Sequence, residues 1–367
     1  MDAKTDGLVK HDEEKAYKGY TLFSTMYGNT AYLIDMKGKL VHKWNMKNRV
    51  GPYGRLLPNG NLLWLGRGEE AIKEFLGCAT ELVEVDWDGN EVWRYDDKLL
   101  NHDFSRLPNG NTIINRYVEI PEKIAKKIKG GIKGTEQFGK IYSCCFQEIT
   151  YEGEIIWEWK HYEHLDTDTD ILCPLCTRSI WGHSNALDVL PNGNILFTLR
   201  HLNTIGILDK KSGDIIWRWG PENYLGHMHN PTVLDNGNIL LFDNGWHRLV
   251  REGDTEEIAE EEYSRVIEVD PNTNKVVWDY HDRPGYFYST CCGGAQRLPN
   301  GNTLITESIK GRFFEVTPDK EIVWEYINEY PRKLEPYWIY DEQMTLETFR
   351  AYRYGINSEE IKKYLKK

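Results

Sequence analysis

The sequence predicts an all-β fold, a six-bladed β-propeller with four-stranded blades. Two hairpin patterns alternate along the chain, and each reads as strand, turn, strand. The first pattern carries an Asn-Gly turn and occurs five times, while the second ends on Trp or Tyr and occurs six times. Two hairpins per unit make a four-stranded sheet, and repeated units of about 40–60 residues are typical of a propeller.

The first hairpin pattern is recognised by its turn. Asn and Gly both tolerate the positive φ that tight hairpin turns require. The five copies are "LLPNGNLLWLGR" from Leu56, "RLPNGNTIINRY" from Arg106, "VLPNGNILFTLR" from Val189, "VLDNGNILLFDN" from Val233 and "RLPNGNTLITES" from Arg297.

The second hairpin pattern alternates apolar and polar residues around Asp, Gly or Asn turns, as half-buried strands do. The six copies are "LIDMKGKLVHKW" to Trp44, "VEVDWDGNEVWRY" to Tyr95, "EITYEGEIIWEW" to Trp159, "ILDKKSGDIIWRW" to Trp219, "IEVDPNTNKVVWDY" to Tyr280 and "FEVTPDKEIVWEY" to Tyr326.

The missing sixth Asn-Gly hairpin predicts how the ring closes. Near the N-terminus, "YTLFSTM" resembles the second half of that hairpin. We expect it to pair with the last blade and so remove the open edges. The predicted organisation is a tail (1–18), a propeller (19–328) with an inserted loop or short helix (119–139), and a helical extension (329–367). We expect the extension, which has a capping-box pair in Asn357 and Glu360, to pack on the outside of the propeller.

Composition limits the partners and the compartment. The formal net charge of −12 disfavours binding to nucleic acid or to an anionic membrane. No apolar run approaches the roughly 18 residues of a membrane span, and the N-terminus has no apolar signal region. The sequence therefore predicts a cytoplasmic protein with no nucleic-acid or membrane partner, and it leaves the oligomeric state open.

The cysteines predict reduced thiols rather than a disulfide framework. Seven is an odd number, which argues against complete pairing. Cys173 and Cys176 form a CxxC, which is half of a structural zinc site. For this motif, free thiols or a plain loop disulfide are the expectation.

The residues just before the Asn-Gly hairpins predict the functional site. In a propeller these residues stand at the mouth of the central channel, which the first strand of each blade lines. Counting back eight or ten residues from the turn glycines of the second, third and fourth copies reaches one polar set: His102, His183, Asn185, His227 and His229. Because the two offsets differ by two, these side chains would face the same way in an extended chain. Isolated histidines are often satisfied by the backbone, but repeated hits at equivalent offsets favour a functional cluster.

Two further residues extend this cluster. Arg200 and His201 end the third Asn-Gly hairpin, in "LFTLRH". A guanidinium that reached the histidines would make an oxyanion site, since its planar fork suits sulfate, phosphate or carboxylate.

At this point the sequence resembles the bacterial arylsulfotransferase family, PAPS-independent enzymes that move a sulfuryl group between phenols. The matching motifs are "NHDFSRLPNGNTI" around His102, "WGHSNALDVLPNGNILFTLRH" ending at His201, and "HMHNPTVLDNGNILLFDNGWHR" from His227. The similarity runs through most of the propeller, and the HD, HxN, RH and FDNG elements in this order are more specific than the turns.

The resemblance implies a mechanism. His229 would be the nucleophile and form a transient sulfohistidine. His102, His183, Asn185 and Arg200 would hold the sulfuryl oxygens, and one of these histidines would exchange a proton with the phenol. Two half-reactions through one intermediate imply ping-pong kinetics. His227 and His201 are expected to contact the small-molecule aromatic substrate, and no cofactor is predicted.

Two other interpretations remain open at this stage. The channel histidines could instead bind copper, zinc or iron in a lyase, hydratase or oxidoreductase. The ligands would then be His102, His183, His227, His229 and Cys291, and an arginine directed at them would oppose a metal cation. The protein could also be a non-catalytic interaction scaffold, because propellers carry many functions.

Overall fold

The predicted fold class is confirmed. A computed structural model describes residues 7–72, 74–75, 77–220, 225–248, 263–333 and 344–365. These residues form six antiparallel blades of four strands, one of them extended by a fifth strand, in the arrangement of a six-bladed β-propeller. The chain divides into two compact units: unit 1 comprises Met1–Ala71, Cys78–Lys98 and Cys291–Lys367, and unit 2 comprises Ile72–Gly77 and Leu99–Thr290. Within the described ranges, no helix has the length and apolar character needed to cross a membrane.

The N-terminal part of unit 1 supplies eight strands. They are β1 (Leu8–His11), β2 (Gly19–Phe23), β3 (Thr30–Ile34), β4 (Leu40–Asn45), β5 (Arg49–Leu56), β6 (Leu62–Arg67), β7 (Glu81–Val85) and β8 (Glu91–Asp96). Strands β5 to β8 make one complete blade in sequence order.

Unit 2 contains three blades and a short helix. Its strands are β9 (Leu100–Arg106), β10 (Thr112–Glu119), β11 (Gly130–Ile132), β12 (Tyr142–Ile149), β13 (Ile155–Lys160), β14 (Leu172–Thr177), β15 (Leu187–Val189), β16 (Ile195–Leu199), β17 (Thr204–Leu208), β18 (Ile215–Trp219), β19 (His229–Val233), β20 (Ile239–Asp243), β21 (Arg265–Asp270) and β22 (Lys275–Tyr280). The blades are β9-β10-β12-β13, β15 to β18, and β19 to β22. The insertion after β10 contains helix α1 (Glu122–Ala125) and β11, which pairs in parallel with β14.

The C-terminal part of unit 1 supplies the last strands. They are β23 (Gly294–Arg297), β24 (Thr303–Glu307), β25 (Arg312–Val316), β26 (Ile322–Ile327), β27 (Arg332–Lys333), β28 (Met344–Thr345) and β29 (Tyr352–Gly355), followed by helix α2 (Glu359–Lys362). Strands β23 to β26 form a blade whose outer edge pairs with β1.

The first blade is completed from the C-terminal end of the chain. Strand β2 pairs with β3 on one edge and with β29 on the other, where Gly19 lies opposite Gly355. The expectation that "YTLFSTM" pairs with the last blade is therefore wrong, because β3 and β29 occupy both edges of this strand. A different N-terminal strand, β1, pairs with the last blade. The C-terminal segment is likewise more than a helical extension, since it supplies β29 as well as α2.

The Asn-Gly turns have a simpler geometry than the sequence suggested. The five turn glycines have φ of 85° to 90°, whereas the preceding residue of each turn keeps a negative φ. In the first turn, the Gly60 N–H donates to the Leu57 carbonyl and the Leu57 N–H donates to the Asn61 carbonyl. Only the glycine therefore needs the left-handed region.

The second Asn of each NGN sequence has a structural role. In four blades its amide donates to a glutamate on the third strand, at 2.5 to 2.7 Å: Asn61 to Glu84, Asn111 to Glu148, Asn238 to Glu268 and Asn302 to Glu315. Hydrogen bonds to a charged acceptor are stronger than neutral ones, so these pairs fix each turn against its blade.

The repeated tryptophans join neighbouring blades within each unit. An indole N–H donates to a main-chain carbonyl in the outer turn of the next blade: Trp44 to Asp86, Trp159 to Gly213, Trp219 to Asn274 and Trp324 to Met36. The rings themselves are buried in the apolar layers between blades. A tryptophan suits this position because it combines a large apolar area with one donor at its edge.

Candidate active site

The histidines of unit 2 lie where the inner strands of its blades begin. His102 is in β9, His183 precedes β15, and His227 lies two residues before β19. All three are buried, and all three have positive φ, at 46°, 55° and 54°. Such a backbone conformation is uncommon for a residue other than glycine, and three equivalent instances at one end of neighbouring blades favour a functional site.

The positive φ corrects one inference from the sequence. His227 and His229 were expected to face the same way, as alternate residues of an extended strand do. The chain at His227 is left-handed, and the β19–β20 register is irregular between His229 and Thr232. The two imidazoles consequently have different partners.

Five imidazoles form a continuous row. The ring centroids of His102 and His183 are 4.9 Å apart, and those of His183 and His201 are 4.5 Å apart. The row continues from His201 to His227 at 6.1 Å and from His227 to His247 at 4.7 Å. The structure thus brings four predicted site residues together and adds His247, which lies four residues after β20 and was not among the residues predicted from the sequence.

His229 lies beside this row and is fixed in one tautomer. Its Nδ1 is 2.7 Å from Oδ1 of Asn244 and 3.1 Å from the carbonyl of His227. The amide nitrogen of Asn244 donates to the Ser289 carbonyl at 2.7 Å, so the amide oxygen must face His229. Nδ1 therefore carries the proton and donates it, which leaves the lone pair on Nε2. The Asn of the "FDNG" motif thereby gains a defined role.

Arg200 supplies positive charge to the row. It begins a 3₁₀ turn directly after β16 and is 6% exposed, with its guanidinium carbon 5.4 Å from the centre of the Trp246 ring. No carboxylate of the described chain forms an ion pair with it. Its charge acts on His183, His201 and His227. A buried guanidinium without a carboxylate partner favours binding of an anion.

Three histidines of the row, His183, His201 and His227, are held neutral. Burial, together with the nearby charge of Arg200, lowers the pKa of His201 to about 3. Burial also lowers the pKa of His183 and His227, with the charge of Arg200 acting in the same direction. Nδ1 of His183 is buried without a hydrogen-bond partner among the described residues. Neutral imidazoles can accept a proton or donate an N–H to an oxyanion.

Asn185 holds the main chain between His227 and His229 in place. Its amide nitrogen donates to the carbonyl of Met228 at 3.0 Å, and its amide oxygen accepts from the Thr198 hydroxyl at 2.8 Å. The sequence predicted that Asn185 would bind substrate. The structure shows it holding the segment that carries His227 and His229.

Gly77 packs against the imidazole ring of His102. Nδ1 of His102 contacts the amide oxygen of Asn101, and the backbone N–H of His102 donates to the Gly77 carbonyl. A Cβ built on Gly77 would lie 2.1 Å from the imidazole ring. Only glycine can therefore occupy this position while the ring keeps its place.

A cavity of about 580 Å³ opens beside the row. His201 and His247 form part of its wall, together with Cys173, Asn203 and Arg218. This volume is within the range of ordinary small-molecule sites. Trp246 contacts His227, whereas Trp181 is a core residue whose indole donates to the Asp170 carbonyl.

The two cysteines of the CxxC motif contact His227 and His247, at one end of the histidine row. Sγ of Cys176 is 3.2 Å from Nε2 of His227 and 3.7 Å from Nδ1 of His247, and Sγ of Cys173 is 3.4 Å from the same Nδ1. We call Cys173, Cys176, His227 and His247 the thiol cluster. A hydrogen bond with Cys176 lowers the pKa of Cys173 to about 5 and raises the pKa of Cys176.

The ligand atoms that the structure groups together differ from the alternative metal set of the sequence analysis. Ligand atoms of His227 group with the two thiols and His247, not with His102, His183 and His229. Cys291 belongs to unit 1, where its Sγ donates to a carboxylate oxygen of Glu347 at 3.6 Å and groups with Cys292.

Comparisons with known proteins agree with these observations. The profile of a family described as arylsulfotransferase (ASST) matches residues 67–329. No curated protein matches the chain. A crystal structure of a protein of unknown function from Bacteroides caccae is similar, with 12% identity, 85% of this chain and 94% of that chain covered, and a TM-score of 0.53. A streptogramin B lyase structure is 11% identical over 89% of this chain and 84% of that chain, with a TM-score of 0.47. At this identity the first of these likenesses supports the propeller fold alone.

Proposed function

The chain belongs to the arylsulfotransferase family, and we propose that it transfers a sulfuryl group from an aryl sulfate to a phenolic acceptor through a covalent intermediate on His229. The observation that carries this proposal is the hydrogen-bonded tautomer of His229. Asn244 accepts a hydrogen bond from its Nδ1, so the lone pair of the neutral ring is on Nε2, the atom that we assign as the nucleophile.

In the first half-reaction, Nε2 of His229 attacks the sulfur atom. The bond between sulfur and the aryl oxygen breaks, and the phenolate leaves with that electron pair. Charge spreads over the sulfuryl oxygens in the transition state, as it does in phosphoryl transfer. Arg200 and an imidazole N–H of the row stabilise this charge without rearranging, because they are already held in place.

In the second half-reaction, an acceptor phenol gives its proton to a neutral imidazole of the row and attacks the sulfur. The bond between sulfur and Nε2 breaks, and its electron pair returns to His229. We assign the base to His183 or His102, which are adjacent in the row. Since a neutral imidazole is a base and not an acid, good donors are aryl sulfates whose phenolate leaves as an anion.

The test is release of 4-nitrophenol from 4-nitrophenyl sulfate, measured with and without added phenol. We expect phenol-dependent release with parallel double-reciprocal plots, and a loss of about 10³-fold or more in His229→Ala. His164→Ala is the matched control, because this imidazole stacks on Trp159 outside the row. A His229→Ala protein with full transfer activity would reject the covalent intermediate, and no phenol-dependent release by the parent protein would reject the proposed reaction.

A further inference from the structure

The thiol cluster has the composition of a metal site. One ligand atom from each of Cys173, Cys176, His227 and His247 lies within 4.8 Å of all the others. The two cysteines and His227 are buried, and His247 is partly buried. Two thiols and two imidazoles without a carboxylate are the ligand types that zinc prefers in structural sites.

The distances between the ligand atoms match a tetrahedral centre. Zinc binds sulfur at about 2.3 Å and imidazole nitrogen at about 2.0–2.1 Å, so the S–N edge of a tetrahedron measures about 3.6 Å. Three of the four S–N separations in the cluster are 3.2, 3.4 and 3.7 Å. The ligand atoms of these four side chains are therefore close enough together to share one zinc ion.

Charge is also compatible with a cation at this place. Arg200 acts electrostatically on Cys176 and His227, which would disfavour a cation bound only by neutral imidazoles. Two thiolates carry two negative charges and neutralise a divalent ion. A metal bound through the two cysteines can therefore coexist with the arginine, whereas one bound by the histidines alone could not.

The cluster joins three separate segments of unit 2. Cys173 and Cys176 are in β14, His227 directly precedes β19, and His247 follows β20. Strand β14 has only the three-residue β11 as a named partner in the described sheets. It also forms part of the cavity wall through Cys173. A bound ion would fix this wall to the segment that begins with His227.

We propose that Cys173, Cys176, His227 and His247 bind one Zn²⁺ as a closed, four-coordinate structural site. All four positions are taken by protein ligands, so the ion has no open position for substrate. This inference goes beyond the proposed sulfuryl transfer and does not depend on it, because its test reads metal content and stability instead of activity.

The test is elemental analysis of the full-length protein purified under reducing conditions without chelator. We expect about one zinc ion per chain in the parent protein, retained on dialysis and released when a mercurial reagent modifies the thiols. Cys173→Ser and His247→Ala should lose most of it. Cys78→Ala is the matched control, since this buried thiol donates to main-chain carbonyls in unit 1 and should leave the zinc content unchanged.

A second measurement covers variants that fail to fold. Chelator-treated parent protein is titrated with Co²⁺, and thiolate coordination should appear as a charge-transfer band that Zn²⁺ removes. Its melting temperature should rise when Zn²⁺ is restored. Zinc well below one ion per chain without a cobalt spectrum would overturn the proposal. So would a Cys173–Cys176 disulfide in the freshly isolated protein, or a different metal held by the same residues.

Discussion

His227 and His229 are separated by a single residue, yet they belong to different regions of unit 2. His227 points its Nε2 at the thiol of Cys176, whereas His229 gives its Nδ1 proton to the amide of Asn244. One region offers two thiols and two imidazoles, and the other offers an imidazole whose Nδ1 proton is held by an amide oxygen. A left-handed residue two positions before a strand thus gives two neighbouring histidines different partners.

Arg200 acts electrostatically on Cys176 and His227 of the thiol cluster and on His183 and His201 of the row, and its removal has the largest expected effect. If it stabilises charge on the sulfuryl oxygens, Arg200→Ala should lower kcat by about 10²- to 10³-fold. The zinc content should stay near that of the parent, because the ligands are unchanged. Nitrophenol release and elemental analysis on the same sample check both statements. Equal loss of zinc and of turnover would mean that the two regions are not separable.

A substitution at Asn244 tests the region around His229. Asn244→Ala removes the acceptor that fixes the His229 tautomer, and kcat should fall by about 10- to 100-fold while zinc remains bound. Asn61→Ala is a control of the same type, since it removes an amide that bonds Glu84 in unit 1. It should lower stability by about 1 kcal/mol and leave kcat unchanged. Unchanged kcat in Asn244→Ala would show that the tautomer does not limit the reaction.

The sequence predicted the scaffold better than the site, for physical reasons. Each Asn-Gly hairpin carries its own turn glycine and each hairpin of the second pattern carries its own tryptophan, so six blades can be counted without any tertiary knowledge. Strand β29 escaped detection because it pairs with β2 across the chain ends and therefore has no hairpin turn to mark it. The histidine positions followed from the repeat, but their directions did not, since nothing in the residue type announces a positive φ at His227.

The thiol cluster was beyond prediction from spacing. The CxxC gives two ligands close together in the sequence, but His227 and His247 lie 51 and 71 residues from Cys176. A zinc-finger pattern would have brought the second pair much nearer in sequence. Only the fold, which sets β14 beside the residues that precede β19 and follow β20, completes the ligand set.

The last prediction concerns whether burial alone can keep a histidine neutral. His161 is fully buried among Phe146, Trp159 and Phe197, and neither ring nitrogen has a hydrogen-bond partner in the described part of the chain. Burial lowers its pKa to about 3. No arginine contributes to this lowered pKa, whereas Arg200 contributes to the lowered pKa values of His183, His201 and His227.

A folded-state pKa below the unfolded value of about 6.5 means that the unfolded chain binds more protons. Stability is then lost as the pH falls from about 6.5 towards 3, by about 1.4 kcal/mol per pH unit for this group. His161→Phe should therefore lose about 2 kcal/mol less than the parent between pH 7 and pH 5, as measured by urea unfolding at both pH values. His281→Gln, a change at an exposed imidazole, serves as the control. If His161→Phe and the parent lose the same stability, burial does not set the charge of this histidine, and Arg200 would have to account for more of the neutrality of the row.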